Sequence, residues 1–402
     1  MMRLGSANTY DNALQNLYTR QSELSSQQEK LTSGKNVNRP SDDPTGASQA
    51  ERTMTRITRI ATEQRALDVQ RNSITMAETT LGDATNLAQG IRELVVSAGN
   101  GALSKSDRAT IAQQLSGLRD QLFTLSNRTD TNGIPLFGGL GSASAPFTDA
   151  TTGVAFNGIP GQRASTEVSL PSTMNGQAIW MNVPTGNGSF NVGLPVAPAT
   201  LNTGGVWAEP GQVISPTLLT GANYTVTFTV DASVVPNVTT YDVPTASPPV
   251  VAQPYVDGQA IQFDGMSFAT HGAPATGDVL EITPSTQSNI FKVIDDAIAS
   301  IDNAPGSSAL THAVALALTQ IDTGMERVQS ARGQAGDWLN RADNIENTQN
   351  GRTVQLNADK SRAEDLDMVK GISDFQKFQT GYQAALQSYA QVQKLSLFNY
   401  LS

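Results

Sequence analysis

Two histidines, His271 and His312, are the only imidazoles in 402 residues, and the chain has no cysteine. An imidazole does chemistry only with neighbours: a hydroxyl or thiol to activate, or further donors around a metal. His271 stands in a turn-like THGAP stretch and His312 near the start of a helical stretch. Neither has a second histidine or a carboxylate at ligand spacing, so no metal or cofactor is expected. The zinc-peptidase spacing HExxH is absent. Lack of cysteine excludes disulfide staples, thiol nucleophiles and thiolate ligands. The glycine-rich GGLGS and GNGSFNVG follow no strand pattern and open no capped helix, so they read as turns rather than phosphate cradles. Asp42 and Asp43 form an adjacent carboxylate pair, but they directly precede a helical run, where capping and dipole complementation are the natural uses. Phe375, Phe378, Tyr382, Tyr389, Phe398 and Tyr400 recur at helical spacing, which points to packing between subunits rather than ligand stacking. No catalytic residue is assigned.

The charge pattern says more than the total of −10. Between Leu140 and Ser285 stand nine acids and one base, Arg163, together with 15 of the 19 prolines. The other residues are close to neutral and hold 25 of the 26 basic side chains. A nucleic-acid or anionic-membrane binder needs a basic footprint, which this chain lacks globally. No run of about 18 apolar residues is present to span a membrane as a helix. The opening MMRLGSANTYDNALQN has neither an apolar region nor a small-residue cleavage site, so no cleaved secretory signal is expected.

The elements follow from periodicity. Tyr10, Leu17, Leu24 and Leu31 recur every seven residues, with Leu14, Gln21 and Gln28 interleaved, which is a helix-packing seam. It stops at Gly34, and NRPSDDPTGA is a turn holding Pro40, Asp42, Asp43, Pro44 and Gly46. A longer helix follows: Ile60, Leu67, Ile74, Leu81, Ala88 and Val95 form one row, and Ala77, Ala84, Ile91 and Ala98 the other. Ser104 and Asp107 have capping-box spacing ahead of a shorter helix through Ile111, Leu115, Leu118, Leu122 and Leu125. From about Ile134 to Thr283, short runs such as YTVTFTV, VSL and AIQFDG lie between turn residues and read as antiparallel strands. Helical pattern returns with IFKVIDDAIASI, then Leu310 to Leu339, then Met368 to Tyr400.

The expected fold is therefore α+β and multidomain. A long antiparallel helical bundle, or coiled coil, is formed by the N- and C-terminal segments around an inserted antiparallel β-rich domain. Three parts are expected: 1–40 with 361–402 as a terminal coiled coil, 41–137 with 286–360 as a helical bundle, and the insert 138–285. Gln21, Gln28, Gln379 and Gln393 occupy seam positions that a two-stranded coil fills with aliphatic residues. Such a pair is marginal alone, so the termini are expected to order on assembly with other copies. The candidate packing residues are Leu14, Leu17, Leu24 and Leu31 on the first helix. Their counterparts on the last are Ile372, Phe375, Tyr382, Leu386, Tyr389, Leu397 and Phe398.

Three stretches carry a resemblance: LTSGKNVNRPSDDPTGASQA from Leu31, GALSKSDRATIAQQLSGLRDQLFTLSNRTDTNGIPLFGG from Gly101, and FQTGYQAALQSYAQVQKLSLFNYL from Phe378. Together they resemble the flagellin-like axial proteins of bacterial flagella. Pro40, Pro44 and the ending LSLFNYL are more similar to the hook–filament junction branch than to flagellin. The resemblance covers nearly all of 1–139 and 286–402 and leaves the insert unmatched. It implies a subunit of a tube around an export channel, with terminal helices lining the channel, the bundle forming the wall and the insert projecting outward. Implied partners are copies of the chain in a ring, the hook-side junction protein (hook-associated protein 1), flagellin, a cytoplasmic export chaperone and the type III export apparatus. The implied location is the hook–filament junction, outside the cell. Nucleic acid and membrane insertion are not expected. Two other readings stay open: a flagellin-type filament subunit, and a glycan- or cation-binding module in the insert.

Overall fold

The computed structural model describes residues 6–141, 145–151, 153–195 and 199–401; the side chains of 6–10, 392 and 394–401 lie outside that set. Helices α1 (Ser6–Ser33), α2 (Pro44–Ala98) and α3 (Lys105–Ser126) open the chain, and α4 (Ile290–Asn303), α5 (Ser307–Glu364) and α6 (Met368–Leu401) close it. Between them lie β1 (Phe147–Ala150), β2 (Gly153–Phe156), β3 (Val183–Pro184), β4 (Phe190–Gly193), β5 (Trp207–Ala208), β6 (Gln212–Val213) and β7 (Tyr224–Asp231). The series continues with β8 (Val238–Val243), β9 (Val250–Pro254), β10 (Ala260–Phe263), β11 (Met266–His271), β12 (Val279–Pro284) and β13 (Gln287–Ser288). This is the α+β architecture that the periodicity predicts. Two compact units result: Met1–Ala66 with Asn344–Ser402, and Leu67–Asp343.

In the larger unit both rows of the α2 repeat point inward. Leu67, Ile74, Leu81, Ala88 and Val95 are buried, as are Ala77, Ala84, Ile91 and Ala98. Facing them on α5 are Leu310, Val314, Ala317, Ile321, Met325, Val328 and Ala335, all buried. Ion pairs fix the antiparallel register: Arg92 to Asp322 at 2.7 Å, Arg332 to Glu78 at 2.7 Å and Arg71 to Asp343 at 3.1 Å. The alanines in the second row let backbones approach closely. Helix α3 starts at the expected capping box, with Asp107 N donating to Ser104 Oγ and Ser104 N donating to Asp107 Oδ2.

Alternation builds the insert. Tyr224, Val226 and Phe228 of β7 face inward while threonines alternate outward. An antiparallel sheet in the order β4-β12-β7-β8-β9 covers a second one, β10-β11-β5 with β6 also on β11. Phe190, Phe228, Phe263, Phe268, Leu280 and Ile282 belong to their common core. A separate aromatic cluster ties the β1–β2 hairpin to the helices. Phe147 and Phe156 pack at 5.1 Å, Phe123 meets Phe291 edge-on at 5.6 Å, and Trp180 stacks on Phe291 at 6.2 Å. Beside it Arg119, with its side chain only 9 % exposed, binds Asp295 at 3.1 Å and also pairs with Asp149.

One predicted strand is a turn instead. At Val168 to Leu170 the Thr166 hydroxyl accepts from the backbone N–H of Val168 (3.3 Å) and Ser169 (3.0 Å). A local side-chain acceptor thus wins over strand pairing for a three-residue run.

Candidate functional site

The smaller unit carries the candidate surface, and its geometry starts at the turn between α1 and α2. Asp42 Oδ2 accepts from the backbone N–H of Arg39 (2.9 Å) and Asn38 (3.1 Å). The Arg39 bond is the main reason that this carboxyl sits below its usual range. Asp43 does a different job. Its Oδ1 accepts from Thr45 N and Gly46 N, both at 3.0 Å, which makes it the N-cap of α2 with Pro44 in the first helical position. Pro40 is exposed, while Gly46 is buried because the end of α5 crosses it. A Cβ at Gly46 meets Asp43 Oδ2 at 2.7 Å and the Ala363 carbonyl oxygen at 2.9 Å.

That crossing is a clasp. Asn36 N donates to Glu364 O at 2.8 Å, Leu366 N donates to Gly34 O at 2.9 Å, and Lys35 and Asp365 form an antiparallel bridge between these bonds. Gly34 supplies the φ of +70° that ends α1. The Glu364 carboxylate faces Lys35 at 3.2 Å and Lys360 at 3.4 Å. The clasp therefore sets the last residues of α1 beside the first of α6, and the two helices run antiparallel. One turn into α6, Gln27 Nε2 donates to Gly371 O at 3.0 Å, and a Cβ at Gly371 meets Leu31 Cδ2 at 3.2 Å.

Beyond the clasp the pair is only partly covered. Leu14, Leu17, Leu24 and Leu31 are half-buried, as are Phe375, Tyr382 and Tyr389. Ile372 (48 %) and Leu386 (41 %) are exposed, along with Tyr18 (61 %) and Val369 (82 %). From position 11 to 33 no residue of α1 is fully buried. A half-covered leucine forgoes roughly 1 of the ~2 kcal/mol that full burial supplies. Leu397 and Phe398 lie in α6, but their side chains are outside the described residues. Gln21, Gln28, Gln379 and Gln393 are exposed rather than inside the seam. The cross-helix amide bond comes from Gln27, one residue off the predicted row. Sequence reading missed Gln27, Lys35, Glu364 and Gly371; a glycine early in an otherwise helical stretch was the available signal.

The histidines are placed differently from each other. His312 is buried and its Nδ1 lies 2.8 Å from the Ala208 carbonyl oxygen; burial holds its basicity below the ordinary value. His271 stacks on Trp207 at 4.5 Å, with Nε2 3.2 Å from Glu209 Oε1 and Nδ1 3.9 Å from Asp257 Oδ1. Its carboxylate neighbours come from other strands and turns, which sequence spacing does not reveal. Among the described residues, no group of three or more His, Asp or Glu could hold a metal, and no helix is long and apolar enough to cross a membrane.

A backbone clasp at the inner ends of α1 and α6, an under-covered helix pair beyond it and a β-rich insert between the helical segments in sequence are the features a relative should share. The comparisons agree. The pattern of the bacterial flagellin N-terminal helical region matches residues 6–142, and that of the C-terminal helical region matches 318–401, together more than half of the chain. The chain belongs to the flagellin family.

Within it, flagellar hook-associated protein 3 of Salmonella typhimurium is 36 % identical over 152 residues, 38 % of this chain and 48 % of the relative. The Escherichia coli protein of that name is 34 % identical over 148 residues, 47 % of its length, so these matches span about half of each relative. Flagellin C of Vibrio anguillarum is 24 % identical over 379 residues, covering 91 % of this chain and 90 % of that one. Among solved structures, hook-associated protein 3 from Legionella pneumophila superposes with TM-score 0.69 at 26 % identity, covering 77 % of this chain and 97 % of that one. FlgL from Xanthomonas campestris gives 0.67 at 27 % identity, covering 78 % and 99 %.

Proposed function

We propose that this chain is the structural adaptor at the hook–filament junction of a bacterial flagellum. It joins the hook-side junction protein (hook-associated protein 1) to flagellin, so that filament growth can start, and it catalyses no reaction. The observation that carries this reading is the likeness to solved hook-associated protein 3 over 97 % of that structure. The under-covered α1–α6 pair supports it physically, because a surface half-satisfied in one chain suits burial by copies.

In this reading 1–40 with 361–402 lines the channel, 41–137 with 286–360 forms the wall, and 138–285 projects outward. The insert's acidity then serves solubility at an exposed position. Copies form a ring, and the chain reaches it by type III export after release from a cytoplasmic chaperone that shields α6. The near-full-length match to Flagellin C favours a second reading, a filament subunit. Deleting the gene separates the two. The adaptor reading expects hooks without filaments and flagellin shed into the medium, seen by electron microscopy and blotting. Intact filaments on that strain refute it.

A further inference from the structure

An electrostatic mismatch on α2 lies outside the α1–α6 surface. Arg52, Arg56 and Arg59 stand four and three residues apart, all exposed on one helical face over two turns. Arg59 binds Glu63 at 2.9 Å, while Arg52 and Arg56 have no ion pair among the described residues. Like charges one turn apart on a helix repel weakly, and an anionic surface laid over them turns that repulsion into attraction.

The complement exists on α5. Glu326 and Asp337 are eleven residues apart, three turns, so both lie on the stripe opposite the buried Ala331, Ala335 and Val328. Both are exposed and neither has an ion pair among the described residues. Ser330 and Gly333 between them are exposed, and a Cβ at Gly333 meets nothing within 4 Å, so another helix can come close. The two arginines without an ion pair, Arg52 and Arg56, are roughly 6 Å apart along their helix and the two acids roughly 16 Å, a difference of about 5 Å at each end. Extended guanidinium side chains bridge that difference, and Arg suits carboxylates through its forked donors.

We infer that the arginine face of α2 docks on the Glu326–Asp337 stripe of α5 in a second copy, as a salt-sensitive lateral contact between neighbouring subunits. This rests on the assembly reading above and names the surfaces it uses. The absence of native cysteine makes the test specific. A strain lacking the gene is complemented with the full chain carrying Arg56→Cys and Asp337→Cys, and its flagella are treated with a short bismaleimide. Dimer-sized bands are expected from the double variant and not from either single one.

In parallel, Arg52→Glu with Arg56→Glu is expected to lower the number of filament-bearing cells about tenfold. Adding Glu326→Lys and Asp337→Lys is expected to restore it to within about threefold. Incorporation into flagella without dimer bands overturns the contact, and so does a charge reversal that leaves filament number unchanged. Reversal without rescue overturns the pairing of these two faces. Failure of the wild-type chain to restore filaments sinks the adaptor reading itself, which is a distinguishable result.

Discussion

Removing the Arg119 guanidinium should loosen the joint between the helices and the β1–β2 hairpin. Its fork spans Asp295 with Nε–Oδ1 at 3.1 Å and the second amine to Oδ2 at 3.2 Å, and it also meets Asp149. The same group lies 5.8 Å from the ring centres of both Phe123 and Phe291. Asp149 and Asp295 are 34 % and 46 % exposed, so water rescues them once the arginine is gone, and the loss falls near the low end of the 3–5 kcal/mol range for broken buried pairs. Two cation–π contacts contribute about 1 to 2 kcal/mol of it. Arg119→Ala also forfeits the packed aliphatic stem and should cost about 4 kcal/mol. Arg119→Met keeps the stem and should cost about 3 kcal/mol. The larger unit has about 280 residues and unfolds with an entropy near 0.6 kcal/mol per degree, so its melting temperature should fall by about 7 °C and about 5 °C respectively. Calorimetry on the purified chain reads both numbers. A fall below about 1 °C for Arg119→Ala refutes the claim that this cluster holds the joint.

Asp43→Ala removes the α2 cap and should cost about 1 kcal/mol in urea unfolding of the smaller unit, whereas Asp43→Asn should cost less. Gly46→Ala forces a Cβ against the Ala363 carbonyl and should destabilise the same unit by about 1 to 3 kcal/mol, with fewer filament-bearing cells under the microscope. His312 resists protonation in the fold because it is buried, while the unfolded chain protonates it near the ordinary 6.5. The unfolded state therefore binds more protons as pH drops through that value, so stability falls there and levels off below the folded value. Urea midpoints between pH 8 and 5 should show this slope in the wild type and a shallower one in His312→Gln.

The long helices were legible because heptad rows depend only on local period. Ile74, Leu81 and Ile91 are buried as their spacing requires, and Ser104 caps where its motif places it. Pairings across the chain were not. Arg119 finds Asp295 176 residues away, and His271 finds Glu209 across the sheet, distances at which no residue pattern carries a signal. At the candidate site, the turn and the leucine rows were readable. Which glutamine bonds across the pair depended on how the clasp rotates α1 against α6, and that is set by Gly34, Lys35 and Glu364 together.

The central claim is that the α1–α6 surface is incomplete in one chain and completed by copies. Amide hydrogen exchange around Leu17 and Leu386 tests it most directly, measured on the soluble monomer and on assembled flagella. Fast exchange in the monomer with strong protection after assembly is the predicted result. Equally slow exchange in both would contradict it, because the pair would then need no neighbour.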